Sequence, residues 1–130
     1  MSFSFLNSIF SPSNDTGNKM QTITANSAVQ FFGDKDTVFI DVRGTGEIAN
    51  SGTIKGALVA PLPEFATHAK PDGSSLLPAA DAGKRIIVVC ASGARSGAAA
   101  QQLVKAGYDN VANLSGGIGA WARAGGAMGR

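Results

Sequence analysis

One cysteine, Cys90, and one histidine, His68, are all that the chain holds of either residue. A single thiol cannot close a disulfide within the chain. One residue of each type cannot assemble a Cys/His metal cluster, and a dithiol redox pair is excluded by the same count. An unpaired thiol points to a reducing compartment, and a cytoplasmic location is expected. Charge is scarce as well: Asp, Glu, Lys and Arg make up 15% of residues and the net charge is +2. The basic residues are scattered, with no run longer than Lys84-Arg85, so no nucleic-acid surface is expected. No stretch is long and apolar enough to span a bilayer. The opening "MSFSFLNSIFSPSNDTG" lacks the basic n-region and sustained apolar core of a signal peptide. Residues 1–18 are expected to form a flexible tail ahead of a domain over residues 19–130. Phe3, Leu6, Ile9 and Phe10 have near-helical spacing, which would suit a short amphipathic anchor. The basic face that such anchors carry is missing, so membrane association is not expected.

What the chain does have is a 44% apolar fraction over 130 residues, enough for one domain with a core that needs no disulfide or structural metal. "TVFIDV" (37–42) and "RIIVVC" (85–90) are apolar runs with almost no alternation, as in parallel strands covered on both faces. "QTIT" (21–24), "ALVAPL" (57–62) and "NVANL" (110–114) supply three shorter strands, the first at an edge. Thr24 is placed to cap a helix through "ANSAVQFFG", which Gly33 stops. "RGTGEIANSG" reads as a loop with one helical turn near Glu47. Residues 63–83 read as two short helical segments and loops. "SGARSGAAAQQLVKAG" is the clearest helix, with Ala99, Leu103 and Val104 inward and Gly107 as its stop. "GGIGAWARAGG" reads as a final short helix carrying Trp121. Strands alternating with helices predict an α/β domain with a mostly parallel central sheet of about five strands and helices on both faces.

Cys90 stands at the carboxyl end of a strand, where open parallel sheets place their ligands. The residues after it, "ASGARS", lead into a helix. Small residues and a glycine let the backbone curl and aim its N–H groups inward. The helix N-terminus adds unsatisfied donors, and Arg95 adds a positive fork. The expected result is an anion cradle with a thiol at its base, which lowers the thiol pKa. Alone, Cys90 reads as a buried structural thiol. In conjunction with Gly93, Arg95 and the helix it reads as a reactive one. Phosphoryl transfer through phosphocysteine and sulfur transfer through a persulfide both fit such a thiolate.

Four motifs, in order, resemble those of the single-domain rhodaneses, thiosulfate-type sulfurtransferases: "FIDVR" (39–43), "SGTIKGALVAPL" (51–62), "VVCASGARS" (88–96) and "NLSGGIGAW" (113–121). The resemblance covers about residues 22–124 and implies a rhodanese-like three-layer α/β domain. Four residues separate Cys90 from Arg95, the spacing of sulfurtransferase members. The related dual-specificity phosphatases of cell-cycle control have a loop one residue longer. One departure is Thr53, where many relatives carry a histidine, and it bears on local packing or substrate contact.

The resemblance implies a sulfurtransferase that moves sulfane sulfur from a small donor, such as thiosulfate or a persulfide, to a thiol or protein acceptor (cyanide in the test tube) through Cys90. No cofactor or metal is expected, and a monomer is. The N–H groups of Ala91, Ser92, Gly93, Ala94, Arg95 and Ser96 are expected to hold the persulfide. Arg95 is expected to orient the loop and attract the donor. Ser92 and Ser96 are placed to cap the helix or to donate to the sulfur. Asp41 and Arg43 share the sheet edge of Cys90. Asp41 could bond loop donors or Arg95 and Arg43 could meet the donor, or the two could be structural, with Arg43 paired to Glu47. Trp121 is expected to pack the last helix and His68 to face solvent. Other classes remain open: a non-catalytic or partner-dependent sulfur-carrier module, a cysteine phosphatase or arsenate reductase, and a scaffold using the apolar tail.

Overall fold

The computed structural model describes residues Met20–Gly129, so the tail expected over residues 1–18 lies outside the described residues. The chain runs β1 (Gln21–Ile23), α1 (Ala25–Ala28), a 3-10 turn (Val29–Phe31), β2 (Thr37–Asp41), α2 (Thr45–Ser51), β3 (Thr53–Ile54) and β4 (Leu58–Val59). A second 3-10 turn (Leu62–Glu64), α3 (Phe65–His68), β5 (Arg85–Val89), α4 (Ala94–Lys105), β6 (Val111–Leu114), α5 (Gly117–Arg123) and β7 (Met128–Gly129) follow. Five strands form one wholly parallel sheet in the order β1-β6-β5-β2-β4.

The unbroken apolar run of β5 has a direct cause. Ile86, Val88 and Cys90 face one core with Ala99, Ala100 and Leu103 of α4 and Phe65 of α3. Ile87 and Val89 face a second core with Ala25, Ala28, Phe31 and Trp121. Both faces of the strand are covered, so neither carries polar residues. The result is a three-layer α/β domain with helices on both faces of the sheet. Among the described residues no helix is long and apolar enough to cross a membrane.

Several local expectations change. "RGTGEIANSG" is not a loop with one turn but the seven-residue helix α2. Its glycines suggested a loop, but the Glu47 carboxylate accepts from Gly44 N–H at 3.1 Å and caps the helix from within. Helix α1 has only four α-helical residues before tightening into the 3-10 turn, although Thr24 caps it as expected, accepting from Ser27 N–H. "ALVAPL" contributes just Leu58–Val59. Of the two helical segments expected over residues 63–83, the one at "SLLPAAD" (75–81) does not form. Asp72 turns the chain by accepting from Ser74 N–H, and Pro78 biases Leu77 away from helical backbone. Leu77 is buried, and the Tyr108 hydroxyl donates to the Pro78 carbonyl, so the loop is pinned as irregular structure. "NVANL" is not the last strand: β7 pairs antiparallel with β3. Trp121 packs as expected, fully buried and edge-on to Phe39 at 5.2 Å, with its indole N–H donating to Ala127 O. His68 is partly buried at the end of α3, 3.7 Å from Glu64.

Candidate active site at the Cys90 loop

Strand β5 delivers Cys90 to the carboxyl edge of the sheet, and α4 begins at Ala94. The turn between them needs Gly93, whose φ of +116° lies in a region that other residues rarely adopt. This turn aims the Gly93 N–H at Cys90 Sγ, 3.0 Å away. The Ser96 hydroxyl, on the first turn of α4 and fully buried, lies 3.2 Å from the same sulfur. Cys90 is itself buried. Burial works to raise the thiol pKa, but the Ser96 hydroxyl and the N–H groups of Ser96, Gly93 and Ser92 outweigh it. The net shift is downward.

The glycine pair after β6 closes the loop from behind. Ile118 N–H donates to Cys90 O at 2.8 Å. Gly117 sits so close that a Cβ there would lie 2.2 Å from Ala91 O. The second glycine of the closing motif is therefore a space requirement set by the cysteine loop, whereas a Cβ on Gly116 would meet Ala120. Asn113, a lone polar side chain within β6, reaches the loop at two points. Its Nδ2 donates to Gly93 O at 3.0 Å, and its Oδ1 accepts a short bond from the Ser96 hydroxyl. Gly97 leaves it room, since a Cβ at that position would come within 3.2 Å of Nδ2.

Several expectations about this site change. Arg95 bonds Glu47 and makes no hydrogen bond to Cys90. Its two Nη atoms bind the Glu47 carboxylate at 2.7 and 2.9 Å. That pair, with the Gly44 N–H, pulls the Glu47 pKa down to about 2. The partner expected for Arg43 is therefore the partner of Arg95. Arg43 instead bonds Asp41 through Nε and Nη2, and also donates to Ser51 Oγ and Gly52 O. Asp41 bonds neither the loop nor Arg95 directly. Besides the Arg43 side chain and N–H it accepts the Thr53 hydroxyl at 2.7 Å. Asp41 is 0% and Arg43 3% exposed, so the two form a closed, fully partnered ion pair. Thr53 completes that cluster rather than the thiol site. Ser96 does not cap α4 either; Gly93 is the N-cap residue and Ser96 faces the sulfur. Among the expected loop residues the structure brings Ser92, Gly93 and Ser96 to Cys90. Ala91 instead backs onto Gly117 and Ala94 is exposed.

A model of the rhodanese-like domain matches residues 24–124. The chain belongs to the rhodanese family. Among curated relatives, a sulfurtransferase of Allochromatium vinosum is 40% identical over 91 residues, covering 70% of this chain and 77% of that protein. A thiosulfate sulfurtransferase of Shewanella oneidensis is 32% identical over 99 residues, covering 76% and 89%. Among solved structures, a Rhodopseudomonas palustris protein described as a possible tyrosine phosphatase superposes with TM-score 0.73 at 30% identity, covering 85% of each chain. An Anabaena rhodanese-like domain superposes with TM-score 0.68 at 26% identity, covering 85% of this chain and 80% of that one. The cysteine loop of this rhodanese lies inside the matched span. Glu47 and Asn113, which sequence reasoning did not place at the loop, lie there too. The one signal for Asn113 was a polar residue in an otherwise apolar strand. Glu47 carried none, because its partner lies 48 residues away.

Proposed function

We propose that this rhodanese is a sulfurtransferase in which Cys90 carries sulfane sulfur as a persulfide. The observation that carries this reading is the set of donors around Sγ: the Gly93 N–H at 3.0 Å and the Ser96 hydroxyl at 3.2 Å, on a buried thiol whose pKa is lowered. These groups stabilise a sulfur anion without a metal or a second thiol. The Cys90 thiolate attacks the outer sulfur of thiosulfate. The S–S bond of the donor breaks, sulfite leaves with the bonding pair, and a Cys90 persulfide remains. An acceptor thiolate or cyanide then attacks the outer sulfur, and Cys90 departs as thiolate. Ping-pong kinetics follow from the covalent intermediate. The proposed setting is a reducing cytoplasm, with a protein or small thiol as acceptor.

The position of Arg95 weighs against phosphate chemistry. Its guanidinium is occupied by Glu47, so a phosphate on Cys90 would lack the bidentate clamp that stabilises a dianion. The same pairing gives some weight to a partner-dependent role, because a neutralised mouth attracts small dianions weakly. Intact-protein mass spectrometry tests the proposal. Incubation with thiosulfate should add one sulfur atom to the wild type, cyanide should remove it, and Cys90→Ser should gain none. No added sulfur from thiosulfate or from a persulfide donor would refute it. Hydrolysis of a phosphate ester by the pure protein would favour the phosphatase class instead.

A further inference from the structure

We propose that Asn113 is a positioning residue for Cys90 that competes with its sulfur for the single Ser96 hydroxyl proton. The inference rests on Cys90 being the reactive group, and it adds a residue from the neighbouring strand to the machinery. Asn113 stands in β6, paired in register with Val88 of β5, two residues before Cys90. Its amide spans the start of α4. Nδ2 donates to the carbonyl of Gly93, whose own N–H points at Sγ, and Oδ1 accepts from the Ser96 hydroxyl. Two of the groups around the sulfur are thus tied to one rigid strand position.

The chemistry turns on a single proton. A serine hydroxyl has one hydrogen and two lone pairs. With Cys90 as the neutral thiol, S–H can donate to Ser96 Oγ while Ser96 donates to Asn113 Oδ1. With the thiolate or persulfide anion, the Ser96 hydrogen turns to sulfur and Asn113 keeps only the Gly93 bond. Without Asn113, the neutral thiol loses the acceptor of the Ser96 hydrogen, while the anion loses only a competitor for it. A hydrogen bond to an anion is roughly twice as strong as one between neutral groups, so a freed Ser96 donates to the sulfur rather than to a carbonyl of its own helix. The Gly93 carbonyl still accepts from Gly97 N–H at 3.0 Å, so the turn stays held. Removal of Asn113 therefore favours the anionic sulfur.

The charged groups around this cluster come from three elements: Arg95 from α4, Glu47 from α2, and Asp41 with Arg43 from the end of β2 and just beyond it. All four are engaged in the two ion pairs described above, and none bonds Asn113 or Ser96.

The test follows the rate of Cys90 alkylation by iodoacetamide against pH, which reads the thiolate whatever its biological substrate. Asn113→Leu keeps the branching at Cγ and the strand while removing both hydrogen bonds. Its inflection should lie about one pH unit below that of the wild type. On a Ser96→Ala background the same substitution should shift the inflection by less than half as much. An alkylation profile for Asn113→Leu that coincides with the wild type overturns the proposal, even if the variant melts at a lower temperature. A shift undiminished by Ser96→Ala overturns it too, since Asn113 would then act by packing. Asn113→Ala, read the same way, serves if leucine prevents folding. Sulfur loading measured in parallel separates this outcome from failure of the sulfur-transfer proposal. A wild type that alkylates with a lowered inflection but takes no sulfur leaves Asn113 testable on its own.

Discussion

Gly117→Ala isolates what the closing motif does for the cysteine loop. Gly117 has φ +66°, and a Cβ there would meet Ala91 O at 2.2 Å, Ala91 C at 2.4 Å and Cys90 O at 2.6 Å. All three are backbone atoms, so no side chain can swing aside. Gly125 supplies the control: its φ is +85°, yet a Cβ would find nothing within 4 Å. Gly125→Ala should therefore cost only the left-handed backbone penalty, about 1–2 kcal/mol. Gly117→Ala should add an overpacking cost of about 1–3 kcal/mol, for a total of roughly 2–5 kcal/mol. That is a large share of the roughly 5–15 kcal/mol by which a domain is stable. Urea unfolding of the two variants beside the wild type gives both numbers. Because Ile118 N–H also holds Cys90 O, relief of the clash must move the loop, so Gly117→Ala should slow Cys90 alkylation at fixed pH while Gly125→Ala does not. Equal stability losses in the two variants, with unchanged alkylation in both, would refute the reasoning.

The Asp41–Arg43 pair is buried, so Asp41→Asn should cost about 3–5 kcal/mol in denaturant unfolding by stranding the guanidinium; a loss under about 1 kcal/mol would show that the cluster is not closed. Glu47→Gln keeps an acceptor for the Gly44 N–H but frees Arg95, and should lower the thiosulfate KM several-fold at low salt, with the gain fading at high ionic strength. An unchanged KM would mean that Arg95 lies outside the donor path. The Cys90 pKa is lowered in the fold, so alkylation should rise with pH through an inflection below the value of about 8.5 for free cysteine. Ser96→Ala, which removes the strongest of the groups lowering it, should move that inflection up; an inflection that stays put would show that the hydroxyl does not serve the sulfur.

Long-range order was readable where one physical rule decided it. The buried strands 37–41 and 85–89 announced themselves because a strand covered on both faces has no polar alternation to confuse it with anything else. Helix α4 showed through its buried Ala99 and Leu103 spacing. The failures share a different cause. Helix α2 is carried by the Glu47 cap against a glycine-rich composition, so propensity pointed the wrong way. Strands β3 and β7 have two residues each, too few for any period to register. At the site, the thiol, its glycine and Ser96 lie in one local stretch and could be named from it. The partners of Arg43, Arg95 and Ser96 could not, because charge and hydrogen-bond type are satisfied by whichever neighbour the fold brings near. Glu47 was a reasonable mate for Arg43 by proximity along the chain, but burial decided otherwise. Asp41 at 0% exposure needs a cation beside it, and Arg43 is two residues away, whereas Glu47 at the surface is free to take Arg95.

This division of charge sets the electrostatics of the loop. One arginine is spent inside the fold on Asp41 and the other is spent at the surface on Glu47. What faces Cys90 Sγ is a set of dipoles: an N–H fixed by Gly93, a hydroxyl on Ser96 and the first turn of α4. Dipoles stabilise a single negative charge on sulfur at short range but supply little long-range attraction. Glu47, with its pKa held near 2, stays ionised through the whole working pH range, and the pair is lost only as pH falls toward that value. The mouth of the site therefore stays electrically quiet from mildly acid to alkaline conditions. Under the sulfur-transfer proposal, the pH response of the protein should come from Cys90 and its acceptor alone, with no second inflection from the guanidinium or carboxylate at the rim.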